Sequence, residues 1–127
     1  MPRFLLPFLA LGLMGQLPDT IRVTLPAADQ RPLVMVQGQS LVVELRGNPT
    51  TGFAWELKDL PECLTLKGEP AYVQDPSDER KLGVGGRYLY TFVAEKKGSG
   101  TLQFIYRRPW EKDKPPLESA RLALEVR

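Results

Sequence analysis

The apolar residues of this 127-residue chain come in short runs that alternate with polar ones, and glycine or proline closes nearly every run. No other feature constrains the fold as tightly. Alternation with a period of two places apolar side chains on one face of a strand, whereas a helix needs a period of about 3.6. SLVVELR at 40–46 sets Leu41, Val43 and Leu45 on one face and Val42, Glu44 and Arg46 on the other. FAWEL at 53–57 turns Phe53, Trp55 and Leu57 inward, and TLQFIYR at 101–107 does the same for Leu102, Phe104 and Tyr106. ESARLALEV at 118–126 lines up Ala120, Leu122, Leu124 and Val126. Its alanines and leucines also suit a helix, but the segment is short and keeps the strand period. Further β-prone runs occupy 21–25, 33–37 and 87–95, with a weaker one at 64–73 interrupted by Gly68 and Pro70. About eight short strands without a convincing helix predict an all-β fold, an immunoglobulin-like antiparallel β-sandwich. The paired cysteines of antibody domains are missing, although Trp55 remains a candidate core tryptophan.

The length suits one domain. Histidine is absent and Cys63 is the only cysteine. These counts exclude an internal disulfide, a Cys/His zinc site and any triad that depends on imidazole. An enzyme on this chain would rely on carboxylates, lysine or tyrosine alone. No motif implies a metal or a cofactor. Seventeen basic and fifteen acidic residues are scattered along the chain, which gives no steering argument for nucleic acid or an anionic membrane. The N-terminal MPRFLLPFLALGLMGQ has one basic residue, Arg3, and a mostly apolar run from Phe4 to Met14, too short to span a bilayer. Residues 1–19 therefore read as an export segment, with a buried N-terminal strand or helix as the alternative. The expectation is a periplasmic or secreted monomer without stable membrane insertion, its folded domain covering 20–127.

Strands joined by short connections alternate in direction. If 40–46 runs up, the connections 47–52, 74–86 and 108–116 lie at the top of the sandwich. The connections 58–63 and KKGSG at 96–100, the latter read as a hairpin turn, lie at the bottom. The three top connections carry the unusual chemistry, and loops on a rigid β scaffold are where function concentrates.

In the first, Asn48 caps a turn in which Pro49 fixes φ, Thr50 and Thr51 are stiff at χ1, and Gly52 permits the reversal before Phe53. Such a tip has little freedom to lose on binding; the plain alternative is a strand connector. In the second, Gly83, Gly85 and Gly86 around Val84 leave main chain bare enough to lie against a partner. Phosphate cradling needs a following helix, and RYLYTFV is strand-like, so a flexible loop is the stronger alternative. In the third, Trp110 follows Arg108 and Pro109 in a charged loop, where it is either an exposed binding anchor or a lid on the sandwich end. Asp75, Asp78 and Glu79 read as a solvated stretch, Cys63 as a small filler, and Phe92, Phe104 and Tyr106 as core.

Taken in order, Asn48-Pro49-Thr50-Thr51-Gly52-Phe53, Gly83-Val84-Gly85-Gly86 and Arg108-Pro109-Trp110 resemble the three motifs of the chagasin family of cysteine protease inhibitors. Trp55 after the first motif and Tyr106 before the third agree as well, and the likeness covers roughly residues 20 to 127. The resemblance implies tight, reversible, non-covalent blockage of a papain-like cysteine protease. It places NPTTGF in the catalytic cleft with Thr50 and Thr51 near the protease cysteine and histidine. It lays GVGG across the non-primed subsites and packs Trp110 on the primed side. A non-inhibitory, extracytoplasmic Ig-like binding module using the same loops is the competing reading. An enzyme is disfavoured by the missing histidine and by a cysteine outside all three loops.

Overall fold

The structure is a computed structural model that describes residues 19–26, 31–76 and 85–127. Those residues form nine strands in two sheets. One sheet contains β1 (Thr20–Leu25), β3 (Ser40–Gly47) and β7 (Gly86–Ala94), with the short β5 (Leu64–Leu66) and β6 (Ala71–Gln74) both on the other edge of β7. The second sheet runs β2 (Leu33–Met35), β9 (Glu118–Val126), β8 (Gly98–Arg107), β4 (Ala54–Asp59).

The alternating positions face one another between the sheets. Leu41, Val43, Leu45, Tyr90 and Phe92 come from one side, and Trp55, Leu102, Phe104, Ala120, Leu122, Leu124 and Val126 from the other, all buried. Phe104 meets Tyr90 and Phe92 at ring-centroid distances of 5.0 and 6.3 Å, tilted or edge-on, as ring quadrupoles prefer. Removing either buried phenylalanine would cost about 3–5 kcal/mol. The Tyr90 hydroxyl crosses between the sheets and donates to the Trp55 carbonyl at 2.9 Å, so its burial leaves no orphan polar group. Cys63 is buried and free, in keeping with its reading as filler.

Three features differ from the sequence reading. The run 64–73 is two strands, because Gly68 adopts φ 68° and separates β5 from β6. The sandwich is antiparallel except at two edges, where β1 runs parallel to β3 and β2 parallel to β9. Alternation reveals which face of a strand is buried but carries no information about its partner. KKGSG is not a β-hairpin: β8 already begins at Gly98, and β7 and β8 belong to different sheets, so the connection crosses the sandwich. Gly100 has a local cause, since a Cβ there would lie 2.5 Å from Pro61 Cβ in the neighbouring connection.

Strand direction alternates along the chain except between β5 and β6, which both run antiparallel to β7 and together take the direction expected for the single run 64–73. Gly47 at the end of β3 faces Gly86 at the start of β7, and Ala54 at the start of β4 faces Arg107 at the end of β8. The described parts of the connections after β3, β6 and β8 therefore emerge at one pole.

Candidate functional site at one pole of the sandwich

The β3–β4 connection is a single turn of 3-10 helix, Pro49–Thr51, with no buried residue. Asn48 builds it. Its backbone is extended, and its side-chain Oδ1 accepts from Thr50 N–H at 3.1 Å, an N-cap arrangement. Pro49 occupies the first helical position, where its missing N–H costs nothing. Gly52 ends the turn in the left-handed region at φ 85°, and its N–H donates to the Pro49 carbonyl at 3.0 Å.

Both threonine hydroxyls are used inside this turn. Thr50 Oγ1 donates to Asn48 Oδ1 at 2.6 Å, and Thr51 Oγ1 donates to the Asn48 carbonyl at 2.7 Å. The side chains nevertheless stand exposed. Their hydroxyl protons are committed, and Thr51 Oγ1 also accepts from Phe53 N–H at 3.4 Å, so only the remaining lone pairs are left for a partner. β-Branching and these two bonds together explain why threonines occupy a turn that a more flexible pair would also close.

The second stretch is partly described. Gly83 and Val84 lie outside the described residues. Gly85 is half-exposed, and its carbonyl accepts from Asp75 N–H at 3.0 Å. An ion pair between Arg46 and Asp75 ties this base to the end of β3. Gly86 departs from the reading as bare main chain. It is buried inside β7, opposite Gly47 on one side and Gln74 on the other. A Cβ there would lie 2.3 Å from the Val73 carbonyl and 2.6 Å from the Tyr72 hydroxyl. Glycine at 86 thus answers to internal packing.

The third stretch leans on the first. Trp110 is 69% exposed, so it is not sealed in the interior. One edge of its indole lies over Gly52, where a Cβ would come within 2.7 Å of Cη2. Arg108 Nε donates to the Thr51 carbonyl at 3.2 Å, and the guanidinium sits 4.5 Å above the Phe53 ring. Pro109 is exposed between them. Glu111 bonds Lys114 at 2.8 Å and lies 3.6 Å from Arg108, and these cations, Lys114 foremost, hold its carboxyl below the usual carboxylate range.

Beneath these contacts runs a line of rings. Phe53 stacks on Tyr106 at 5.4 Å, and Tyr106 meets the buried Trp55 at 4.9 Å. The Tyr106 hydroxyl accepts from Asn48 N–H at 3.2 Å, and Trp55 Nε1 donates to the Arg46 carbonyl at 2.8 Å. Strand periodicity assigns Tyr106 to the core, and the structure adds a second role, support of the 48–53 turn. The available hint was its place at the last inward position of a strand, where a hydroxyl needs a partner. Leu117, 64% exposed, lines a shallow 240 Å³ depression beside Phe53 and Arg108, and no sequence pattern marked it. The opposite pole, around Pro61 and Lys96, holds a larger depression of about 490 Å³ lined in part by Glu62, Lys96 and Lys97. Among the described residues no cluster of three or more metal-ligating side chains occurs.

The chain and its fold are similar to those of known proteins. The model of the chagasin family peptidase inhibitors, I42, matches residues 34–126. Amoebiasin-1 of Entamoeba histolytica is 32% identical over 78 residues, which is 61% of this chain and 74% of that protein. Chagasin of Trypanosoma cruzi is 32% identical over 82 residues, 61% of this chain and 73% of that protein. The crystal structure of the cysteine protease inhibitor EhICP2 from Entamoeba histolytica superposes with a TM-score of 0.73 at 26% identity, covering 85% of this chain and 96% of that one. With the family match spanning most of the chain and the same β-sandwich in its relatives, the chain belongs to the chagasin family, a family of peptidase inhibitors and not of enzymes.

Proposed function

We propose that this protein inhibits papain-like cysteine proteases reversibly, by seating the loop end of the sandwich in the active-site cleft. The single observation that carries this reading is the pole itself: an exposed, internally hydrogen-bonded Pro49–Thr51 tip with Trp110 packed at its side. The tip enters the cleft. Thr50 and Thr51 approach the protease cysteine and histidine, where their lone pairs accept from a protonated imidazole. The turn presents no extended peptide bond to the nucleophile, so the complex forms without cleavage. The glycine stretch is assigned to the non-primed side, with the half-exposed Gly85 as its main-chain contact among the described residues. Trp110 covers the primed side.

Energetics are consistent with tight binding. A wedge of this kind buries roughly 1,600 Å², the usual size for protease–inhibitor pairs. Nanomolar affinity needs about −12 kcal/mol, and a preorganised tip avoids much of the ordering cost. The apolar N-terminal run supports a site of action in the periplasm or outside the cell, reached as a monomer.

Titration of papain with the pure protein in a peptide-substrate assay tests the proposal. Stoichiometric, reversible loss of activity is the expected result. Full papain activity at micromolar inhibitor, repeated with other papain-like enzymes, would refute it.

A further inference from the structure

The Pro49–Thr51 turn contributes nothing to the core, so no buried side chain of its own fixes its orientation. The bonds from Thr50 and Thr51 to Asn48 set its shape but not its direction relative to the sandwich. Direction has to come from outside the turn. Three contacts supply it, all from β8 and the loop that follows. The Tyr106 hydroxyl holds Asn48 N–H, Arg108 Nε holds the Thr51 carbonyl, and the Trp110 ring lies on Gly52. Arg108 is itself fixed on two further sides, by the Phe53 ring at 4.5 Å and by Glu111 at 3.6 Å. Phe53 rests on Tyr106, and Tyr106 on Trp55, which is 4% exposed. A continuous stack, Trp55–Tyr106–Phe53–Arg108, thus leads from the core to the last carbonyl of the tip.

We infer that Arg108 is a positioning residue, which aims the 48–52 tip from the end of this stack, and that Tyr106 is its support. This rests on the inhibitory reading above for its kinetic consequence, but the clamp is a property of the free protein. Arg108 directs Nε–H, its planar face and a guanidinium nitrogen at its own chain. Loss of a side chain that contacts the protease speeds dissociation. Loss of one that positions the tip lowers the fraction of molecules ready to bind, and apparent association slows by that fraction. Lysine does not replace arginine here, because an ammonium has neither the flat face for Phe53 nor the Nε–H angle for Thr51.

The test compares wild type, Arg108→Ala and Arg108→Lys in the full chain. Amide hydrogen exchange of the free proteins reads the clamp through the turn it holds: Thr51 and Gly52 N–H are bonded within the turn to Asn48 and Pro49 carbonyls, and a tip released from Arg108 opens these exposed bonds more often. Both variants should exchange these two amides about tenfold faster, with the amides of β3 and β8 unchanged. Against papain, kon should fall about tenfold while koff stays within about threefold. Unaltered exchange at Thr51 and Gly52 would overturn the inference, as would a loss expressed wholly in koff or full rescue by lysine. Should wild type fail to inhibit papain, the functional proposal falls on that result, and exchange alone then decides for or against the clamp.

Discussion

Gly52 is required twice over, and the two requirements come apart experimentally. Its φ of 85° is one that alanine adopts only at a cost of about 1–2 kcal/mol. Its missing Cβ also makes room for Trp110, which would stand 2.7 Å from that atom. An ordinary contact begins near 3.4 Å, so in Gly52→Ala the indole must retreat by about 0.7 Å or rotate away. The conformational cost falls on folding. It appears as a drop in Tm of about 5–10 °C and is indifferent to Trp110. The displacement falls on binding. An anchoring tryptophan is worth about 2 kcal/mol, so Trp110→Ala should raise the inhibition constant about 30-fold. Losing half that worth through misplacement should raise it about fivefold in Gly52→Ala. In the double variant no indole is left to displace, and the inhibition constant should match that of Trp110→Ala alone. A double-mutant cycle measured by papain inhibition therefore shows coupling of about 1 kcal/mol. Additive losses would refute the reasoning, because they would place the effect in the turn backbone and not in the contact with Trp110.

Other perturbations follow from the same geometry. Gly86→Ala drives a Cβ to 2.3 Å from a carbonyl between two strands and should lower stability by about 1–3 kcal/mol in urea unfolding. Glu111 has a carboxyl held below its usual range chiefly by Lys114, so its ion pairs are intact above about pH 4.3 and lost as pH falls through the depressed value. Inhibition measured with an acid-tolerant papain-like enzyme should weaken over that acidic window, and Glu111→Gln should remove the dependence. Burial raises the phenols of Tyr90 and Tyr88 above their ordinary value. The unfolded chain then releases their protons first, so stability should hold below about pH 10 and decline above it, as read by thermal denaturation at rising pH.

The faces of the strands were legible because burial imposes the period of two, and Leu41, Val43, Leu45, Leu102 and Phe104 all lie where alternation puts them. The common pole of the described loop ends was legible too, since β5 and β6 run the same way as the one strand read at 64–73 and direction alternates on either side of them. Partners were not. Nothing in Thr20–Leu25 or Leu33–Met35 distinguishes a parallel edge from an antiparallel one, and both prove parallel. At the site, a composition of glycine suggested bare main chain, but Gly86 owes its identity to Val73 and Tyr72, which only tertiary packing brings over it. The threonines pointed to a polar cleft, yet their hydroxyl protons turn back to Asn48. Tyr106 looked like core because it keeps the strand period, and its hydroxyl's bond to Asn48 joins residues 58 apart in sequence.

These corrections bear on how the protein stops a protease. A chain without histidine, whose one cysteine is buried away from the loops, brings neither imidazole nor thiol to a catalytic site. In the proposed mode it acts by occupying space, and occupancy is strong when the occupant has little freedom to lose. The features that first looked like contacts for a partner, the threonine hydroxyl protons, Arg108 and Gly86, turn out to spend part or all of their bonding and packing on the protein itself. Rigidity is then what those residues contribute to affinity, and exposed groups such as Trp110 and Pro49 are left to make the contact. Substitutions at the first set should slow association and those at the second should speed dissociation, a division that rate measurements on the two sets would expose or deny.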